Sequence, residues 1–252
     1  MANIKTENDI DRIRASCRVV SEVLRLLEKY IRAGVTTKEL DSMAEDFIRS
    51  SGAEPAFKGY DPQKTKAYQA TICTSIDDQV VHGIPDGRAL SEGEIVSVDV
   101  GVLKDGYYGD GARTFAVSRI SEKKELLLRV TQEALGVGIE QAVAGNRVHD
   151  ISHAVQRHVE QAGFSVVREL AGHGIGRRLH EEPQVPNFGE PGTGVKLREG
   201  ITIAIEPMVN VGTHKIRLME DGWTVRTQDG QSSAHFEHTV VVRKGSAEIL
   251  TL

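Results

Sequence analysis

Two stretches of this chain carry the same punctuation, and that repeat limits the folds open to it. Leu90-Ser91-Glu92-Gly93 precedes a β-branched run that leads to Asp99, and Leu197-Arg198-Glu199-Gly200 precedes one that leads to Glu206. In both, the carboxylate stands six positions after the glycine. His82-Gly83-Ile84-Pro85 lies upstream of the first stretch and His180-Glu181-Glu182-Pro183 upstream of the second. Such an echo predicts two related halves, roughly 1–120 and 121–252, each supplying a histidine loop and an acidic strand. With 252 residues, 39% of them hydrophobic, one large core and two fused halves fit in a single domain.

Within the first half, Glu94 to Val102 reads as a strand, and a second run climbs from Tyr107 to Val117 after Lys104-Asp105-Gly106. That is a hairpin signal. A turn centred near Asp105 sets Asp99 roughly opposite Asp110, where like charges destabilise a sheet unless a cation lies between them. Two aspartates on the open, wet face of the ribbon is the other reading. Glu206 ends an apolar run, Ile201-Thr202-Ile203-Ala204-Ile205, which would bury it unless it is paired or metal-bound. Glu237 stands just ahead of Val240-Val241-Val242, where edge solvation is the alternative. Together with His173, these four carboxylates form a donor set suited to two divalent cations.

Elsewhere the pattern is helical. Thr6 opens a stripe through Ile10, Ile13, Cys17, Val20, Leu24, Leu27 and Ile31 that Gly34 stops, and Thr36 with Glu39 forms a capping box for a helix ending near Gly52. Ser51 to Tyr68 reads as loop and Ala70 to Ser75 as strand. Ser121 starts a third helix to about Ala144, and Asn146 caps a fourth through Val159. Helices and strands in blocks predict an α+β fold with helices covering a mostly antiparallel sheet. His149, His153 and His158 lie on the fourth helix, but Asp150 and Ile151 stand where a zinc-peptidase helix needs its glutamate, so they read as solvated histidines.

Several function classes have little support. A net charge of -5 without a basic cluster leaves no nucleic-acid footprint. Only Cys17 and Cys73 occur, too few for a disulfide framework or a zinc knuckle. No run approaches the ~20 apolar residues of a membrane span, and the start lacks a signal-peptide core, so a cytoplasmic protein is expected. Nothing in the sequence demands more than a monomer. Gly172-His173-Gly174-Ile175-Gly176 lacks the lysine of a phosphate loop, and its glycines are expected to let backbone crowd a ligand while the imidazole stays bare.

The run from Gly172 to Pro183, with Asp99, Asp110, Glu206-Pro207-Met208 and Glu237-His238-Thr239, closely resembles type I methionine aminopeptidases. The resemblance implies the pita-bread fold, two related αβ halves around a dinuclear site of Co, Mn, Fe or Zn. It implies that Asp99 chelates one metal, Asp110 and Glu237 bridge both, and His173 and Glu206 complete the other. A metal-activated water would then attack the scissile carbonyl, with Glu206 shuttling its proton and His82 and His180 assisting the tetrahedral state. Taken without the family, His82 and His180 read better as hydrogen-bonded loop histidines. By the same resemblance the methionine pocket falls to Tyr60, Cys73 and Trp223, with Phe57 beside them, although core packing would use the same residues. Ser233 and the backbone at Asp77 match the place of a monovalent cation. The implied substrate is the N-terminus of a nascent polypeptide at the ribosome, cut after initiator methionine when the next residue is small. Leu179, where an aromatic residue is common, and extra length at Asp61 to Tyr68 depart from the pattern at the pocket wall. A prolidase or aminopeptidase P, and a non-catalytic peptide-binding protein of the same fold, remain the alternatives.

Overall fold

The computed structural model describes residues 3–62 and 64–252. In chain order it runs α1 (Glu7–Glu28), α2 (Thr37–Ser50), β1 (Glu54–Pro55), β2 (Ile72–Ile76), β3 (Gln79–Val81), β4 (Ile95–Lys104) and β5 (Tyr107–Ala116). It continues through α3 (Glu122–Glu140), α4 (Val148–Gln161), β6 (Ser165–Val166), β7 (Ala171–Gly174), β8 (Glu181–Pro186), β9 (Thr202–Ile205) and β10 (Met208–Asn210). The last strands are β11 (Ile216–Leu218), β12 (Val225–Thr227), β13 (Ser233–His235), β14 (His238–Val241) and β15 (Glu248–Ile249).

Helix α1 begins where its capping box predicts. Thr6 Oγ1 accepts the Asp9 N–H at 3.2 Å and Asp9 Oδ2 accepts the Thr6 N–H at 3.0 Å. Its stripe of Ile10, Ile13, Cys17, Val20 and Leu27 is wholly buried against β4 and β5. The helix stops at Glu28, short of Ile31, because tertiary bonds draw the chain away: Gly34 N–H donates to Leu90 O at 2.9 Å and Leu90 N–H to Val35 O at 2.8 Å. Thr36 and Glu39 cap α2 as expected. At α4 the cap is Arg147, whose N–H donates to Asp150 at 2.7 Å, while the Asn146 amide turns back to Gln141 O at 3.0 Å. The 51–68 stretch expected to be loop also holds β1, paired to β4.

Among the described residues, every pairing between named strands is antiparallel. The ladders run β1-β4-β2 with β5 on β4, and β15-β14-β9-β7-β8, with two small three-stranded pieces, β13-β10-β6 and β11-β12-β3. Along β4, Val96, Val98, Val100 and Val102 point into the core under α1 and α2, so period-two alternation turns Ser97 and Asp99 to the opposite face. A second core gathers Leu127, Ile151, Val155, Ile203, Ile205 and Val240 under α3 and α4.

The halves match hydrogen bond for hydrogen bond. Gly93 N–H donates to Val117 O at 3.0 Å, and Gly200 N–H to Val242 O at 3.0 Å. Val117 N–H returns to Glu94 O at 2.8 Å, and Val242 N–H to Ile201 O at 2.8 Å. Both glycines sit at φ +85°, a region that favours glycine. Across the seam, Glu237 N–H donates to Ala112 O at 2.9 Å and Thr239 Oγ1 to Asp110 O at 2.8 Å. These bonds bring β5 of one half beside the 235–239 segment of the other.

Candidate metal centre

The hairpin places its two aspartates on one face, but not opposite each other. Asp99 pairs with Ala112, and Gly101 with Asp110, so the carboxylates are diagonal neighbours. The two-residue turn is Asp105-Gly106, with φ +50° and +77°, so the register is centred between these two residues and the partner of Asp99 lies two positions beyond Asp110. Cys73 on β2 pairs directly with Asp99.

His173 lies on β7 with its ring fixed from behind. Its Nδ1 is 2.9 Å from Gly174 O, which can only accept, so the proton is on Nδ1 and the Nε2 lone pair is free. Nε2 stands 3.8 Å from Asp110 Oδ2 and 3.7 Å from Glu206 Oε1. The flanking glycines make room for the neighbouring strands. A Cβ on Gly172 would fall 2.4 Å from Ala204 O, and one on Gly174 2.3 Å from Glu182 O. One donor atom each from Asp110, His173 and Glu237 lie within 4.8 Å of one another, all three residues buried.

Among the described residues, the four acids that share this space have no Lys or Arg paired to them. Burial pushes Asp99 up to about 7. Burial, then the charges of Glu237 and Asp99, raise Asp110 well above the carboxylate range; burial, then Asp110 and Asp99, do the same to Glu206, and burial, then Glu206 and Asp99, to Glu237. Asp99 Oδ1 and Glu237 Oε1 are buried without a hydrogen-bond partner. Burial also holds His173 down at about 3, so its imidazole is neutral and able to ligate. Oxygen donors that repel one another, orphaned lone pairs and one bare nitrogen fit divalent cations.

The acids line a cavity of about 620 Å³, within the size range of small-ligand sites. All ten residues singled out in the sequence line it: Asp99, Asp110, His173, Glu206 and Glu237 with His82, His180, Tyr60, Cys73 and Trp223. His180 reaches it from the loop before β8, its ring 4.3 Å from that of His173 and its Nδ1 2.6 Å from Tyr60 Oη. His82 follows β3 in the left-handed region at φ +60°, which for a non-glycine residue stores strain. Desolvation lowers His180, and burial takes His82 to about 4. Phe57, Tyr68 and Leu179 complete the apolar wall.

A model of metallopeptidase family M24 matches residues 11–244. The chain is 49% identical to a methionine aminopeptidase of Clostridium perfringens, covering 100% of this chain and 99% of that one. Against the crystal structure of a methionine aminopeptidase from Thermotoga maritima it superposes with a TM-score of 0.96 at 44% identity, covering 100% and 99%. This chain is a methionine aminopeptidase of family M24. A prolidase from Pyrococcus horikoshii shares the fold, with a TM-score of 0.79 at 23% identity, over 99% of this chain and 63% of that one.

Other parts of this aminopeptidase sort themselves by contact. Trp223 donates its indole N–H to Lys66 O at 3.0 Å and packs edge-on to Tyr68 with centroids 5.2 Å apart, so Lys66 and Tyr68 brace the cavity wall. Ser233 N–H donates to Asp77 O at 2.8 Å, and the Lys124 ammonium lies 2.6 Å from Asp77 Oδ1. The Asp77 side chain is thus paired to a cation, while its backbone carbonyl accepts from Ser233. His149 and His158 pair with Thr193 and Glu133, away from the cavity. Among the described residues, no helix is long and apolar enough to cross a membrane.

One functional candidate escaped the sequence reading. His235 is 2% exposed, and its Nε2 lies 3.7 Å from Glu206 Oε2 and 4.0 Å from Glu237 Oε2. Its signal was available, since it stands two positions before Glu237 in an extended segment, where period two brings both to one face.

Proposed function

We propose that this chain removes initiator methionine from nascent polypeptides in the cytoplasm, as a monomer, when the second residue is small. The observation that carries the proposal is the cluster of four buried acids and one neutral imidazole without a cationic partner, at the floor of an apolar-walled cavity. Asp99 would hold one divalent cation, Asp110 and Glu237 would lie between two, and His173 with Glu206 would complete the second. Bound there, such cations supply Lewis acidity and make water nucleophilic near neutral pH.

The chain's own groups do the rest. Glu206 takes the proton from the attacking water and returns it to the leaving amine. Tyr60 Oη lies 2.6 Å from His180 Nδ1; with the hydroxyl as donor, the neutral ring carries its proton on Nε2. That N–H is a donor for the scissile carbonyl and its developing negative charge. His82 supplies a second imidazole from the other half. Cys73, Tyr60, Trp223, Phe57 and Leu179 offer sulfur and aromatic contacts suited to a thioether. Nascent chains emerging from the ribosome are the proposed partners.

The test is cleavage of Met-Ala-Ser, Met-Leu-Ser and Ala-Pro-Ser by protein stripped with chelator and reloaded with Co, Mn, Fe or Zn singly. Metal-dependent release of methionine from Met-Ala-Ser alone is expected. Preferential cleavage before proline would favour the prolidase reading, and no cleavage with any metal would favour a peptide-binding role.

A further inference from the structure

The proposed centre leaves His235 without a task, yet the structure invests in placing it. On β13 its N–H donates to Thr114 Oγ1 at 2.9 Å, and Thr114 Oγ1 donates back to His235 O at 2.8 Å, fixing the backbone from the other half of the molecule. Met208 of β10 flanks it on the other side. The ring is almost wholly buried, and among the described residues neither of its nitrogens has a hydrogen-bond partner. A buried imidazole left unpaired is costly.

A comparison with His173 assigns its role. His173 spends its Nδ1 proton on Gly174 O, so Nε2 presents a lone pair, the arrangement of a ligand. Among the described residues, no hydrogen-bond acceptor meets His235 Nδ1. The carboxylates within 4.0 Å of its ring both lie at Nε2: Glu206 Oε2 at 3.7 Å and Glu237 Oε2 at 4.0 Å. The proton of the neutral ring therefore belongs on Nε2, where it is a donor and not a ligand. Glu206 is thus flanked on both sides, Oε1 facing the His173 lone pair at 3.7 Å and Oε2 facing His235.

We propose that His235 is a positioning residue that donates its Nε2 proton to Glu206 Oε2, leaving Oε1 as the single oxygen Glu206 offers to a cation. The proposal rests on the metal-centre reading above. Ligating carboxylates are held by such outer hydrogen bonds, and their loss weakens the site. Glutamine is the conservative replacement, because its amide nitrogen reaches about as far as Nε2. Asparagine is too short, since its nitrogen ends near the Nδ1 position.

The experiment is calorimetric titration of metal-free protein with Co(II), joined to X-ray absorption at the cobalt edge. His235→Leu and His235→Asn are expected to weaken the tighter Co(II) site about 10- to 100-fold, with His235→Gln close to wild type. Absorption should count the same number of imidazoles in wild type and His235→Gln. Should His235→Leu fail to fold, the Gln and Asn variants still decide. Equal affinity of Asn and Gln variants, or of Leu and wild type, would overturn the proposal, as would loss of one imidazole in His235→Gln, which would make His235 a ligand. Absence of Co(II) binding by wild-type protein would overturn the centre itself, and His235's role with it.

Discussion

The two halves share a backbone and differ in what they load onto it. Asp77 N–H donates to Ile95 O at 3.1 Å in the first, and Ile175 N–H to Thr202 O at 3.1 Å in the second. Five residues after each stands a cavity histidine, His82 or His180. Yet Asp77 carries an ion pair to Lys124, whereas Ile175 is buried with Phe57, Cys73 and Leu179. The first half brings only oxygen donors to the acidic cluster, Asp99 and Asp110; the second adds the bare nitrogen of His173. Repetition sets where strands end, and divergence of single side chains at those ends sets the chemistry.

The largest expected effect comes from the seam. Asp110→Asn removes a carboxylate beside His173 and Glu237, and turnover should fall about 10³-fold or more with metal retention weakened. Full activity with an unchanged metal complement would dissolve the proposed centre. Next, the loop histidines should prove unequal. His180→Ala should lower kcat about 10²-fold with little change in KM, because Tyr60 presets its tautomer. His82 has no such partner, so His82→Ala should cost less, and equal losses would remove that asymmetry.

Metal-free protein should lose stability as pH rises from about 6.5 to 8, followed by calorimetry. A carboxyl whose folded pKa is raised contributes stability that is full below its unfolded value and lost as pH climbs through the folded one; for Asp99 that runs from 3.8 through about 7. The lowered pKa values of His82, His173, His235 and His238 give the opposite slope, but only below their unfolded value of 6.5. Saturating Mn(II) should abolish the alkaline loss, since cations take the ionised carboxylates. A metal-free profile that is flat from 6.5 to 8 would contradict the buried-acid account.

The smallest effect separates the paired glycines. Alanine at either meets φ +85°, a cost of about 1–2 kcal/mol. At Gly200 the added carbon also falls 2.8 Å from Lys5 O, while at Gly93 the nearest atom is Arg119 O at 3.9 Å. Gly200→Ala should therefore lower Tm more than Gly93→Ala, by a few degrees.

Much of this was readable along the chain. The capping boxes, the hairpin and the repeat are local patterns written in neighbouring residues, and each appears within a few positions of its expected place. Ile31 fell outside α1 because a distant carbonyl, Leu90 O, claimed Gly34. The pairing of Asp99 with Ala112 follows from a two-residue Asp105-Gly106 turn, whose centre falls between the two residues and not on Asp105. His235 went unread although its spacing from Glu237 offered a signal, because its role turns on Glu206, which lies between β9 and β10.

By itself, then, the sequence determined the elements, their repetition and the donors standing at strand ends, since helix caps and strand alternation act over two to four residues. Only the tertiary structure decided that Asp110, His173 and Glu237 share one buried space, that the glycines beside His173 serve neighbouring strands, and that His235 faces Glu206. Those outcomes depend on register and on seam hydrogen bonds between residues far apart in the chain, where close packing, and not local preference, selects the neighbours.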